Sequence, residues 1–305
     1  MFPFVNLHQQ YRQYRIAFDG LSKNTLRSEF YVIKQFFEVL EIQHLNNISK
    51  SNIELYILEM QSKRNWTKNT VRNNLQALDN FFRFCFEKGF ISENPAKDIR
   101  KPKLSKQLPK ALSEEDAMKL LEWTYVADFR YEFNRIRARA ILATFLFTGV
   151  RKSELIMLKN SDIQFSDKTL RVENGKGGKD RIIPLNERLI QILLEYKEFR
   201  EKLDKKSLYF FTTLREDKRI SPTTIKRLFE KIKDSLGIRI YPHMLRHTFG
   251  TLMAQGECSI YALSKMMGHA DIKTTMIYLL VTVGDLKQQI VKHPLGYRMM
   301  DEFVK

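Results

Sequence analysis

Cysteine is scarce: Cys85 and Cys258 are the only two in 305 residues. Two thiols exclude a disulfide-built scaffold, and they show no metal-ligand spacing. Each lies in an apolar helical pattern, so both are read as buried free thiols of a reducing compartment. Long apolar runs are also missing, which excludes a helical membrane span. The opening "MFPFVNLHQQYRQYR" has no basic segment followed by an apolar one, so it is not a secretory signal. A soluble, cytoplasmic protein is the expectation. There is no internal repeat, no low-complexity tract and no acidic cluster for a metal. Acidic residues are the conspicuous shortage, with 35 against 52 Lys and Arg, a net charge of +17. The excess is +7 up to residue 107 and +10 beyond it, so both halves are basic. Nucleic acid is the simplest partner for such a distribution.

What is present organises into a mainly α chain. "TKNTVRNNLQALDNFFRFCFEKGF" (67–90) has Thr67 as N-cap, Val71, Leu75, Leu78, Phe82 and Cys85 at helical spacing, and Gly89 as a stop. "SKNTLRSEFYVIKQFFEVL" (22–40) repeats the design with Leu26, Phe30, Ile33 and Phe37. Residues 1–103 are therefore expected to form a small helical bundle. The stretch "ENPAKDIRKPKLSKQLPKAL" (93–112) holds three prolines and six Lys or Arg, which disfavour helix; residues 104–111 are assigned as a basic linker. Residues 112–305 form the second domain. It opens on the cap pattern "SEED" (113–116), where Ser113 and Asp116 are expected to serve the first turn reciprocally. It is helical except for "KTLRVENGKGGKDRIIPL" (168–185), read as a β-hairpin with Lys176 at its tip.

Three segments carry candidate chemistry. In "YPHMLRHTFG" (241–250), Pro242 suits the first helical position and puts His243 and Arg246 on one face of an anion-attracting helix start. In "FLFTGVRKSEL" (145–155), Gly149 ends an apolar helix, Arg151 begins the next, and Glu154 is placed to orient its guanidinium. Two such guanidinium groups can hold both non-bridging oxygens of one phosphodiester. In "MMGHADIKTTMIY" (266–278), His269 and Tyr278 are nine residues apart and would diverge on one helix. Gly268 as a stop and Asp271 as a new N-cap put a corner between them, which lets them converge.

In order along the chain, Arg151, Lys176, His243, Arg246, His269 and Tyr278 resemble the Arg, Lys, His-x-x-Arg, His and Tyr series of the tyrosine recombinase family, nearest its small Xer-type members. The block "GH-x-x-I-x-T-T-x-x-Y" is the most specific part, and the resemblance spans the entire chain. It implies an N-terminal SAM-like core-binding bundle, a basic linker and a larger catalytic domain with a small sheet. It also implies a metal-free, ATP-free strand transfer with no cofactor. Tyr278 would attack the scissile phosphate and leave a 3′-phosphotyrosyl link and a free 5′-hydroxyl. A phenol of pKa about 10 needs a proton acceptor, for which His243 is the candidate. Lys176 would protonate the departing 5′-oxygen, and His269 would bond a phosphate oxygen.

Around these, Lys101, Lys103, Lys106, Lys179 and Arg181 are assigned to DNA phosphate. His247 is read as structural; Tyr241 and Tyr261 as core or surface; Phe81, Phe82, Phe84 and Phe86 as packing. The segment 283–293 is amphipathic, and the resemblance implies that it is a tail helix exchanged between protomers of a DNA-bound homotetramer. Apolar Leu279 and Leu280 depart from the polar residues often found after the family tyrosine. The chain starts almost directly with the bundle, so no arm-site-binding domain is expected. Three functions stay open: Xer-type resolution of chromosome or plasmid dimers, aided by a DNA translocase or a second recombinase; integration of a phage or mobile element; and a DNA-binding protein that has lost catalysis.

Overall fold

The computed structural model describes residues 4–104, 110–173, 180–269 and 271–278. Lys106, Lys176, Lys179 and the segment 283–293 lie outside the described residues, as do residues 105–109 of the assigned linker. The chain divides into two compact units, Met1–Gln107 and Leu108–Lys305.

The first unit is a bundle of α1 (Val5–Asp19), α2 (Lys23–Val39), α3 (Lys50–Arg64) and α4 (Lys68–Glu87). Helix α4 starts where Thr67 accepts the Thr70 N–H, and Gly89 follows its end in the left-handed region. Val71, Leu75, Leu78, Phe82 and Cys85 are all buried against α1, α2 and α3. Burying each large apolar side chain of this stripe contributes roughly 1.5–3 kcal/mol. Aromatic rings dominate the interior, with Phe36 set edge-on to Phe37, Tyr56 and Phe82. Phe86 departs from the packing expectation and is 49% exposed, because it sits at the solvent side of the last turn of α4.

The second unit is built round α6 (Glu132–Thr148), which is buried on all sides from Ala138 to Leu146 and packs against α5 (Glu114–Val126), α8 (Glu187–Lys202) and α10 (Pro242–Gln255). At the start of α5, Ser113 accepts the Asp116 N–H, so one half of the expected reciprocal cap is formed. A further short helix, α7 (Lys152–Met157), follows α6, and α9 (Pro222–Leu236) precedes α10. The strand pair expected from 168–185 is present as β2 (Thr169–Val172) and β3 (Arg181–Pro184). A two-residue strand too short to show periodicity, β1 (Ile163–Gln164), extends it to an antiparallel sheet of order β1-β2-β3. Leu170 pairs with Ile183 and Ile163 with Leu170, which places these buried residues on the core face. Helix α11 (Ile260–Met267) ends at Gly268, whose φ of 64° is left-handed. Cys85 is buried as expected, but Cys258 lies in the turn between α10 and α11 and is only half-buried, a correction to its helical reading. Among the described residues no helix is long and apolar enough to cross a membrane.

Candidate active site

The site begins at the corner between α6 and α7. Gly149 has φ +60°, and a Cβ there would lie 2.4 Å from the Phe249 ring, so only glycine allows this abrupt turn. The turn sets Arg151 as the residue that caps α7. Its backbone N–H donates to Glu154 Oε2 at 2.7 Å and its Nη1 to Glu154 Oε1 at 2.8 Å. Burial opposes ionisation of Glu154, but charged hydrogen bonds from Arg181 and Arg151 prevail and hold its pKa down to about 2.

Pro242 takes the first position of α10, as its fixed φ favours, and Arg246 lies one turn on. Arg246 is only 5% exposed; Nη1 donates to Gly149 O at 2.6 Å and Nη2 to Met267 O. Its remaining N–H donors are oriented by those two bonds. Desolvation lowers its pKa to about 10, with Arg151 repelling it further. Desolvation, and then Arg246, Arg151 and Lys152, disfavour the charged form of His243 and lower its pKa.

The chain turns at Gly268, and Asp271 accepts the Lys273 N–H as expected. Beyond that cap the chain makes two 3₁₀ turns, Ile272–Thr274 and Met276–Tyr278, rather than an α-helix. His269 Nδ1 hydrogen-bonds Thr275 Oγ1 at 2.8 Å. Burial, then the charges of Arg246 and Arg151, bring its pKa down to about 4. Tyr278 is 5% exposed and lies among Phe249, Leu263 and Met267. Its ring rests on α10 at Gly250, where an added Cβ would come within 2.7 Å of Cζ.

The Tyr278 hydroxyl sits 2.7 Å from His247 Nδ1. From sequence, the proton-acceptor role falls to His243 and a structural role to His247. In the structure it is His247, one turn further along α10, that meets the phenol. Sequence spacing shows that His243 and His247 share a helix face; it does not show which one a residue 31 positions away will reach. Desolvation, with His243 and Arg246 adding to it, lowers the His247 pKa, and burial raises that of Tyr278. Both shifts favour the uncharged forms.

Arg151, His243, Arg246, His247, His269 and Tyr278 thus occupy one region, joined by the contacts and mutual charge effects above. Arg181 is not exposed: it is buried and pairs with Glu154 at 2.7 Å. That corrects its assignment, and the pattern R-I-I-P contained the clue. Arg181 is two residues from Ile183 and so shares its buried face, while Ile182 is exposed. Lys101 donates to Gln76 at 2.9 Å and lies near Asp79, an internal engagement within the first unit. Lys103 is exposed. Tyr241 and Tyr261 are exposed and lie on the surface branch of their expectation. Among the described residues there is no group of metal-ligating side chains.

A profile of the Phage integrase family matches residues 110–283. A second, for the Phage integrase N-terminal SAM-like domain, matches residues 7–89. Tyrosine recombinase XerA of Pyrococcus horikoshii is 33% identical over 282 residues, covering 92% of this chain and 91% of its own. Tyrosine recombinase XerC of Thermodesulfovibrio yellowstonii is 32% identical over 285 residues, covering 91% of this chain and 92% of that protein. The crystal structure of XerA recombinase is 26% identical with a TM-score of 0.51, covering 95% and 98% of the two chains. XerH site-specific recombinase in a post-cleavage complex with palindromic difH substrate is 22% identical with a TM-score of 0.75, covering 94% and 83%. At that identity the likeness is one of fold.

Proposed function

The chain belongs to the phage integrase family and is a site-specific tyrosine recombinase that cuts and rejoins DNA, and from that premise we propose that Tyr278 is its nucleophile and His247 the proton acceptor. The observation that carries this reading is the 2.7 Å contact between the Tyr278 hydroxyl and His247 Nδ1, beside two arginines. In the tautomer with the ring proton on Nε2, Nδ1 accepts the phenolic proton as the Tyr278 oxygen bonds to phosphorus. The bond from phosphorus to the 5′-oxygen breaks, and that oxygen takes a proton from Lys176. Arg151 and Arg246 stabilise the charge gathered on the non-bridging oxygens, supported by His269. The phosphotyrosyl ester keeps the phosphodiester energy, so the 5′-hydroxyl of a partner strand can reverse the steps and complete exchange.

The substrate is a duplex recombination site, bound by both basic units. Identity to XerA and XerC proteins along nine-tenths of the chain supports chromosome or plasmid dimer resolution over mobile-element integration. A homotetramer on DNA, the first-unit bundle as the core-binding domain, phosphate contacts by Lys103, Lys106 and Lys179, a translocase or second recombinase, and a cytoplasmic location belong to the same reading.

The test is covalent trapping on nicked duplexes carrying Xer-type sites and DNA flanking the native gene, with chelator and no ATP. A protein–DNA adduct formed by the wild type and absent in Tyr278→Phe is the expected result. An adduct that persists in Tyr278→Phe would remove Tyr278 as the nucleophile.

A further inference from the structure

Helix α11 ends at Met266, Met267 and Gly268, where the last carbonyls of a helix have no intrahelical N–H partner. Each of the three accepts from a different guanidinium. Arg181 Nε donates to Met266 O at 2.7 Å, Arg246 Nη2 to Met267 O, and Arg151 Nη2 to Gly268 O at 3.1 Å. Arg246 and Arg151 are the proposed phosphate holders. Arg181 comes from another element, β3, and its side chain is 7% exposed.

The other two nitrogens of Arg181 are also committed. Nη1 donates to Glu154 Oε1 at 3.0 Å and Nη2 to Glu154 Oε2 at 2.7 Å. Each oxygen of Glu154 thereby accepts once from Arg181 and once from Arg151. Arg151 reaches both carboxylate oxygens from one side, through its backbone N–H and through Nη1. The planar fork of Arg181 fixes that carboxylate from the opposite side.

We propose that Arg181 is a positioning residue for strand cleavage, acting through Glu154 on Arg151 and through Met266 on the corner that carries His269. It rests on the recombinase reading and adds to it a residue that touches no phosphate. Three of the five N–H donors of the buried fork are committed to protein, one on each nitrogen. A shift of Arg151 by about 1 Å would lower the cleavage rate by on the order of 100-fold.

The experiment compares wild type, Arg181→Lys, Glu154→Gln and the double variant in single-turnover adduct formation on nicked duplex, with DNA affinity measured over a salt series. Arg181→Lys is expected to slow adduct formation about 10- to 100-fold, while Kd stays within about two-fold and the salt slope is unchanged. In the Glu154→Gln background the further loss should shrink to about two-fold, since the route to Arg151 is already broken. A salt slope reduced by about 0.9 would mean that Arg181 neutralises a phosphate, and the inference would be wrong. A full, additive loss in the double variant would equally remove the route through Glu154. If Arg181→Lys unfolds the chain, Glu154→Gln alone must show the slowed rate at unchanged affinity, or the idea is lost. Wild-type protein that binds duplex yet never forms an adduct would instead overturn the recombinase reading, and the positioning role with it.

Discussion

The two units bury different kinds of side chain. Among the described residues the first unit fills its interior with rings such as Tyr11, Phe36, Phe37, Tyr56, Phe81 and Phe82, and buries no arginine. The second buries four: Arg139, Arg181, Arg200 and Arg246. Two of these brace the scaffold. Arg139 pairs with Glu195 at 2.7 Å, and Arg200 donates to Asn160 at 2.6 Å. The other two grip carbonyls and a carboxylate at the site. Apolar burial is non-directional and suits a unit that needs only to hold its shape. Guanidinium groups are directional, and burying them costs energy unless every donor is matched. At the candidate site Arg181 and Arg246 meet that cost with bonds to carbonyls and to Glu154.

Substitutions in either unit can break this comparison. Phe82→Ala should have the largest effect on folding, destabilising the first unit by about 3–5 kcal/mol. Calorimetry should show an earlier first transition, with the second unit's transition in place and the adduct rate at saturating DNA unchanged. Equal shifts of both transitions would mean that the two interiors are not separately stabilised. Arg246→Lys should leave duplex affinity within a few-fold and slow adduct formation by about 10²–10³, the cost of losing one charge-stabilising donor. A loss in affinity alone would reassign Arg246 to simple DNA binding.

The smallest effect is on acid stability. The folded pKa of Glu154 lies below its ordinary 4.5, at about 2, so its contribution is present above pH 4.5 and is lost as pH falls toward 2. Glu154→Gln should flatten that part of the second unit's stability curve, and no change in slope would mean that the carboxylate is not held as described.

The same contrast explains how much could be read from the sequence. Periodicity found the stripe Val71, Leu75, Leu78, Phe82 and Cys85 because apolar burial on a helix repeats. The local pairs of the site were legible for a similar reason: Arg151 and Glu154 are three residues apart, and Gly149, Pro242 and Gly268 mark where the chain must stop or start. The three-carbonyl clasp was not legible, because Arg181, Arg246 and Arg151 reach it from three distant elements. Nor was the choice between His243 and His247, two residues of one helix face that only the path of Tyr278 can separate. Phe86 shows that an aromatic ring is interior only when its helix face is, whatever its residue type suggests.

The central claim is that His247, not His243, receives the Tyr278 proton. It is tested by the pH dependence of single-turnover cleavage in wild type, His247→Gln and His243→Gln. Because the His247 pKa is lowered from 6.5, wild-type cleavage should hold near pH 7 and fall at more acid pH as the ring becomes charged. His247→Gln should be slower by about 10²-fold at pH 7 and lose that acid limb, while His243→Gln keeps it. An acid limb that survives in His247→Gln and disappears in His243→Gln would contradict the account.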